Sequence, residues 1–110
     1  MATPILVTGD DLSIAVTLKK NDLTFDIPIA STVTAKLVST NHSTVYSAEA
    51  VQFSTTPGAD WSNSLVVVEF APADTASITY QGKALLEIQV DDNGKRTWFA
   101  TVKIVTGQIA

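Results

Sequence analysis

Leu85-Leu86-Glu87-Ile88-Gln89-Val90-Asp91-Asp92-Asn93-Gly94-Lys95-Arg96-Thr97-Trp98-Phe99-Ala100-Thr101-Val102-Lys103-Ile104 is the stretch that decides the fold. Two runs of β-prone residues are joined by Asp-Asn-Gly chemistry. Asn93 and Gly94 are residue types that take positive φ at least cost, which a tight hairpin turn requires. In the first run Leu86, Ile88 and Val90 share one face, and Glu87 and Gln89 share the other. In the second, Trp98, Ala100, Val102 and Ile104 alternate with Phe99, Thr101 and Lys103. A period of two on both sides of a turn predicts a β-hairpin, and with it a β-sheet protein.

The same period continues upstream. Ile5-Leu6-Val7 is a brief apolar segment. Leu12, Ile14, Val16 and Leu18 alternate with Ser13, Ala15, Thr17 and Lys19, as a half-buried strand does. Lys20-Asn21-Asp22 turns the chain, and residues 23–27 read as a short strand closed by Pro28. Val33, Ala35 and Leu37 alternate again before the polar loop 39–43. Extended structure resumes over 44–53, and 54–60 is the longest clear loop. Residues 65–70, Leu-Val-Val-Val-Glu-Phe, are nearly continuous in apolar character and read as a central strand. Residues 71–76 supply at most one short helical turn. Strands at this spacing predict a single antiparallel two-sheet β-sandwich of about seven strands over residues 1–110.

Composition bounds what such a sandwich does. The chain has 110 residues, enough for one core, with 45% hydrophobic and 16% charged residues, as in ordered globular proteins. A net charge of −4, with the seven basic residues scattered, argues against a nucleic-acid partner. No apolar run reaches membrane-spanning length, so no membrane partner is expected. The start, Met1-Ala2-Thr3-Pro4, lacks the basic and long apolar regions of a signal peptide, so synthesis in the cytoplasm without export by that route is expected.

The residues for catalysis are missing. There is no cysteine nucleophile, and His42 is the single histidine, set in the polar loop Thr40-Asn41-His42-Ser43, where a solvated surface role is the ordinary one. One histidine without cysteine cannot make a zinc site. Five glycines form no phosphate-cradling motif. Asp10-Asp11 and Asp91-Asp92-Asn93-Gly94 faintly echo a calcium loop, but turn formation accounts for them. A carboxylate pair such as Glu69 and Glu87 is the remaining form of a glycosidase couple, and both have the parity of ordinary outward strand residues. We therefore expect no catalytic residue, no cofactor and no metal. Asn41-His42-Ser43 also matches a glycosylation acceptor, which without a secretory signal is accidental.

Aromatic residues and chain ends remain as candidates for binding. Trp98 has inward parity and reads as a core plug, whereas Trp61, following the Pro57-Gly58-Ala59-Asp60 loop, reads as either a loop anchor or an exposed contact. Tyr46 and Tyr80 either join it or pack. The ends, Ile5-Leu6-Val7 and Val105-Thr106-Gly107-Gln108-Ile109-Ala110, carry no charged residue of the kind that blocks edge pairing. The candidate partner-binding residues are therefore Ile5, Leu6, Val7, Pro57, Trp61, Gln108 and Ile109.

The order of features has a further meaning. A Gly9-Asp10-Asp11 start leads into the strand 12–18, and a polar turn at 20–22 precedes Phe25-Asp26-Ile27-Pro28. Thr32-Val33-Thr34-Ala35-Lys36-Leu37 follows, then Ala71-Pro72-Ala73-Asp74-Thr75-Ala76 and the closing strand-turn-strand 85–105. This resembles the small immunoglobulin-like, or baseplate-upper-protein-like, β-sandwich modules of tailed bacteriophages, although Phe25-Asp26-Ile27-Pro28-Ile29-Ala30 stands where those modules usually have Asp-Leu-Thr-Gly. The resemblance covers most of the chain and implies a non-enzymatic structural protein of the virion. It suggests a capsid decoration (cement) protein or head-fibre base, or else a neck, tail or baseplate accessory. Its implied partners are other virion proteins, major capsid or tail proteins, with the chain oligomeric or lattice-bound. A carbohydrate-binding module presenting Trp61, Tyr46 or Tyr80 to a sugar ring is the main rival, and an adhesion or pilus-like module a third reading.

Overall fold

The computed structural model describes residues 5–8, 12–47, 49–76, 78–92 and 94–105. Among them lie seven strands: β1 (Ile5–Val7), β2 (Leu12–Thr17), β3 (Thr32–Val38), β4 (Ala50–Gln52), β5 (Leu65–Phe70), β6 (Gly82–Asp91) and β7 (Lys95–Val105). One α-helical turn, α1 (Pro72–Thr75), and a 3-10 turn, Trp61–Asn63, complete the list. The protein is all-β.

The β6–β7 hairpin forms in the register that its alternation implies, with Leu86 opposite Ala100 and Ile88 opposite Trp98. Gly94 takes φ 143°, a conformation that a side chain would strain. The hairpin is the middle of a five-stranded sheet in the order β1-β7-β6-β3-β4, and β2 pairs with β5 in a separate two-stranded sheet. Apolar side chains of both sheets meet in one cluster. Ile14, Val66, Val68 and Phe70 come from the small sheet, and Leu6, Val33, Leu37, Leu86, Ile88, Val102 and Ile104 from the large one. The inward parity seen in the sequence is therefore the parity of the core.

Four expectations need correction. Pairing is not antiparallel throughout, because β1 runs parallel to β7. Residues 24–28 form no strand: the Phe25 amide donates to Ser64 Oγ (3.4 Å) and the Ile27 amide to the Trp61 carbonyl (2.8 Å). Backbone groups bound to a 3-10 turn at irregular spacing cannot also join a ladder. Over 44–53 only β4 is a strand, since the Ser47 hydroxyl accepts from the Leu37 amide (3.0 Å) where a partner strand's carbonyl would stand. Finally, β5 is not central. Its second buried face comes from the 54–60 loop, whose Gly58 lies against Val67, rather than from strands on both sides.

The two sheets are joined at one corner by Gln52. Its carboxamide accepts from the Glu69 amide (2.8 Å) and donates to the Glu69 carbonyl (3.1 Å), so one buried side chain occupies the edge of β5 as a strand would. At α1, Asp74 Oδ2 accepts from the Ala71 amide (2.8 Å) and Pro72 begins the turn, where its missing N–H costs nothing.

Candidate functional site

A mismatch in strand length creates the site. β6 and β7 have ten and eleven residues, whereas β2 and β5, across the core, have six each. The long hairpin therefore overhangs the small sheet. Along the inward stripe of β7, Ile104 and Val102 are fully buried, Ala100 and Trp98 are half-buried and Arg96 is exposed. Inward parity continues past the point where the core ends.

The connection between β2 and β3 fills part of this gap. Lys20 and Leu23 exchange backbone hydrogen bonds (2.8 and 2.9 Å) around Asn21 (φ 51°) and Asp22 (φ 64°). Positive φ at both central residues makes this a tight type I′ turn, and it fixes Lys19 and Lys20 below the hairpin. The Trp98 indole Nε1 donates to the Lys19 carbonyl (3.0 Å), so the half-buried ring has a partner for its polar atom. Phe25 stacks on Trp98 with centroids 5.5 Å apart and planes 15° from parallel. The Lys20 ammonium lies 4.4 Å from the Phe25 centroid. Ser64 holds this arrangement from beneath. Fully buried in left-handed backbone (φ 55°), it donates through its hydroxyl to the Leu18 carbonyl while accepting from Phe25.

The result is an open cleft of about 500 Å³ lined by Lys19, Lys20, Asn21, Arg96, Thr97 and Trp98. Three of its six lining residues are cationic and none is acidic. A smaller recess of about 50 Å³ adjoins it beneath Phe25 and Trp98, with Asp26 and Asp92 at its rim. Basic residues that look scattered along the chain are thus gathered by the type I′ turn and the overhanging hairpin. The sequence does carry one signal of this site: Arg96 sits at an inward position, which a charged residue takes only where there is no core to meet.

The expected contact residues divide. Ile5 (59% exposed) and Pro57 lie at the surface, and Val7 is half-buried. Leu6 (0%) and Trp61 (5%) face the core, so neither side chain is offered to a partner. Leu6 pairs with Ile104 on the inward side of β7, and Trp61 opens the 3-10 turn that packs against the core cluster. Gln108 and Ile109, like Asp10, Asp11 and Asn93, lie outside the described residues.

The other candidates are dispersed. Glu87 forms an ion pair with Lys36 (3.2 Å) on the outer face of the five-stranded sheet. Glu69 points outward from the opposite sheet, so the core separates the two carboxylates. His42 is exposed, with its ring against the edge of Phe99 at 4.7 Å. Tyr46 and Tyr80 stack on each other at 4.6 Å, and the Tyr80 hydroxyl donates to the Lys83 carbonyl (2.9 Å). Loss of solvent, followed by the neighbouring Tyr80, raises the Tyr46 phenol above its ordinary value. Among the described residues no group of three or more His, Cys, Asp or Glu side chains is placed to hold a metal ion, and no helix is long and apolar enough to cross a membrane. No protein-family model, curated protein or solved structure matches this chain.

Proposed function

We propose that the chain is an immunoglobulin-like β-sandwich that serves, without catalysis, as a structural protein of a tailed-phage virion. Its place is as a capsid decoration or cement protein or a head-fibre base, or else as a neck, tail or baseplate accessory. Strand order supports the fold part of this reading. β2 and β5 occupy the places of strands B and E, and β3, β6 and β7 those of C, F and G. β4 lies where variable-type domains extend the sheet beyond C. The virion part rests on the sequence resemblance to phage modules.

One observation carries the contact part. The outer face of the five-stranded sheet exposes Ile5 (59%), Val45 (56%), Val51 (53%) and Phe99 (48%). Register puts them on one side: Ile5 opposite Lys103, Val51 opposite Thr34, Phe99 opposite Glu87, and Val45 beside Val38. Exposed apolar side chains set around the Lys36–Glu87 ion pair suit contact with another protein. Quantitative mass spectrometry of particles from the phage or prophage encoding the chain tests the reading. Abundance comparable to the major capsid protein means head decoration, and a small fraction of it means neck, tail or baseplate. Absence from the particles refutes the virion role.

A further inference from the structure

The cleft under the overhanging hairpin lies on the opposite side of the β7 backbone from that apolar face, and its chemistry differs. We infer that this cleft, lined by Lys19, Lys20, Asn21, Arg96, Thr97 and Trp98, binds an acidic saccharide, a pyranose chain bearing carboxylates. The site is independent of the virion assignment.

Four features select this ligand. Its volume, about 500 Å³, lies in the range of small-ligand sites and suits one or two sugar rings. Arg96, at the mouth, carries the planar fork that matches a carboxylate with two parallel hydrogen bonds. Lys19, Lys20 and Asn21 supply donors, and Asn21 also an acceptor, for the hydroxyls of a sugar ring. Trp98, half-buried and stacked by Phe25 on one face, leaves its remaining exposed indole surface for the apolar C–H face of a pyranose. That ring is already fixed by its hydrogen bond to the Lys19 carbonyl and its stack on Phe25, so binding does not have to order it.

Charge separates this ligand from two other anionic partners. The chain carries −4 overall and the cleft residues +3, so the remainder of the molecule carries −7. A nucleic acid, whose phosphates extend well beyond one cleft, meets that negative remainder, while a short acidic saccharide touches the cleft alone. An acidic protein surface is a poorer fit because lysine is depleted from the desolvated centres of protein interfaces, and here lysines are two of the three basic residues.

The test titrates the full chain with a tetramer of galacturonic acid, following the Trp98 indole resonance by NMR, with Trp61 as the internal reference. A saturable shift confined to Trp98 and the backbone amides of 19–21 and 96–97 is expected, weakening as salt is raised. Arg96→Ala and Lys19→Ala, both at exposed positions, should each weaken binding by about tenfold. Mapping on the unaltered chain keeps the proposal testable should a variant fold poorly. A neutral glucose tetramer binding equally well overturns the proposal, as does equal binding of inorganic phosphate, an oligonucleotide or an oligoglutamate peptide. Shifts elsewhere on the molecule, or none at all, also overturn it.

Discussion

The two tryptophans flank the same segment, residues 25–27, and are built in different ways. Trp61 follows a long loop, yet it is buried against the core and its indole N–H has no hydrogen-bond partner in the protein. Trp98 sits mid-strand at an inward position, yet it is half-exposed and its indole N–H is satisfied by the Lys19 carbonyl. The 3-10 turn tucks Trp61 into the core, and on the other side of the 25–27 segment the hairpin overshoots the core at Trp98. A residue's place on a strand says which way it points, whereas burial depends on whether anything stands opposite.

Replacing each ring should break this comparison most sharply. Trp61→Ala is expected to cost about 3–5 kcal/mol, the range for emptying a large buried aromatic site. Trp98→Ala, losing a half-buried ring and one hydrogen bond, should cost less, about 1–3 kcal/mol. Urea unfolding of the two variants measures both, and equal costs would mean that the two ring sites are not built differently.

Phe25→Ala sharpens the picture of the overhang. Because Phe25 is stacked on Trp98, the two rings should show a coupling of about 0.5–1.5 kcal/mol in a double-mutant cycle. Additivity of the single effects would show that the stack contributes nothing. Acrylamide quenching of Trp98 should rise in the same variant while Trp61 stays protected.

A smaller effect distinguishes shape from hydrogen bonding at Trp61. Trp61→Phe removes an unpartnered buried donor along with some packing, so its cost should stay below about 1.5 kcal/mol. A loss near that of Trp61→Ala would mean that the indole N–H has a partner in solution. The smallest effect belongs to Asp60, which precedes Trp61 and whose carboxylate accepts from the Asn63 side-chain carboxamide (2.8 Å) and the Ser62 hydroxyl (2.6 Å). Those hydrogen bonds hold its carboxyl below the usual aspartate value. Their contribution is therefore complete above the ordinary carboxylate range and is lost as pH falls through the lowered folded value. Wild type should lose slightly more stability than Asp60→Asn between neutral pH and the acid limb, and parallel pH profiles of the urea midpoint would refute this.

Local chemistry made much of the fold legible. Gly94 and the alternation around it give the hairpin and its register, and Lys20-Asn21-Asp22 gives a turn. The strand misread at 23–27 has residues suited to extended structure, but its amides bond to Ser64 and Trp61, 39 and 34 positions away. No local pattern carries that pairing. The continuous apolar run of β5 is real, yet a loop rather than a second neighbouring strand covers Val67. The cleft was legible only in Arg96. Its other two basic residues, Lys19 and Lys20, lie in a turn that meets the hairpin where Lys19 bonds Trp98, 79 positions away.

The parallel pairing of β1 with β7 has a mechanical consequence. A pull applied on the N-terminal side of Ile5 and the C-terminal side of Val105 drags these strands in opposite directions along their length. The bonds between them, including that from the Thr8 amide to the Val105 carbonyl (3.0 Å), are then loaded together in shear rather than unzipped one at a time. Resistance to such a pull is set by how fast that clamp ruptures. Tethered by its two ends, the module would behave as a stiff strut.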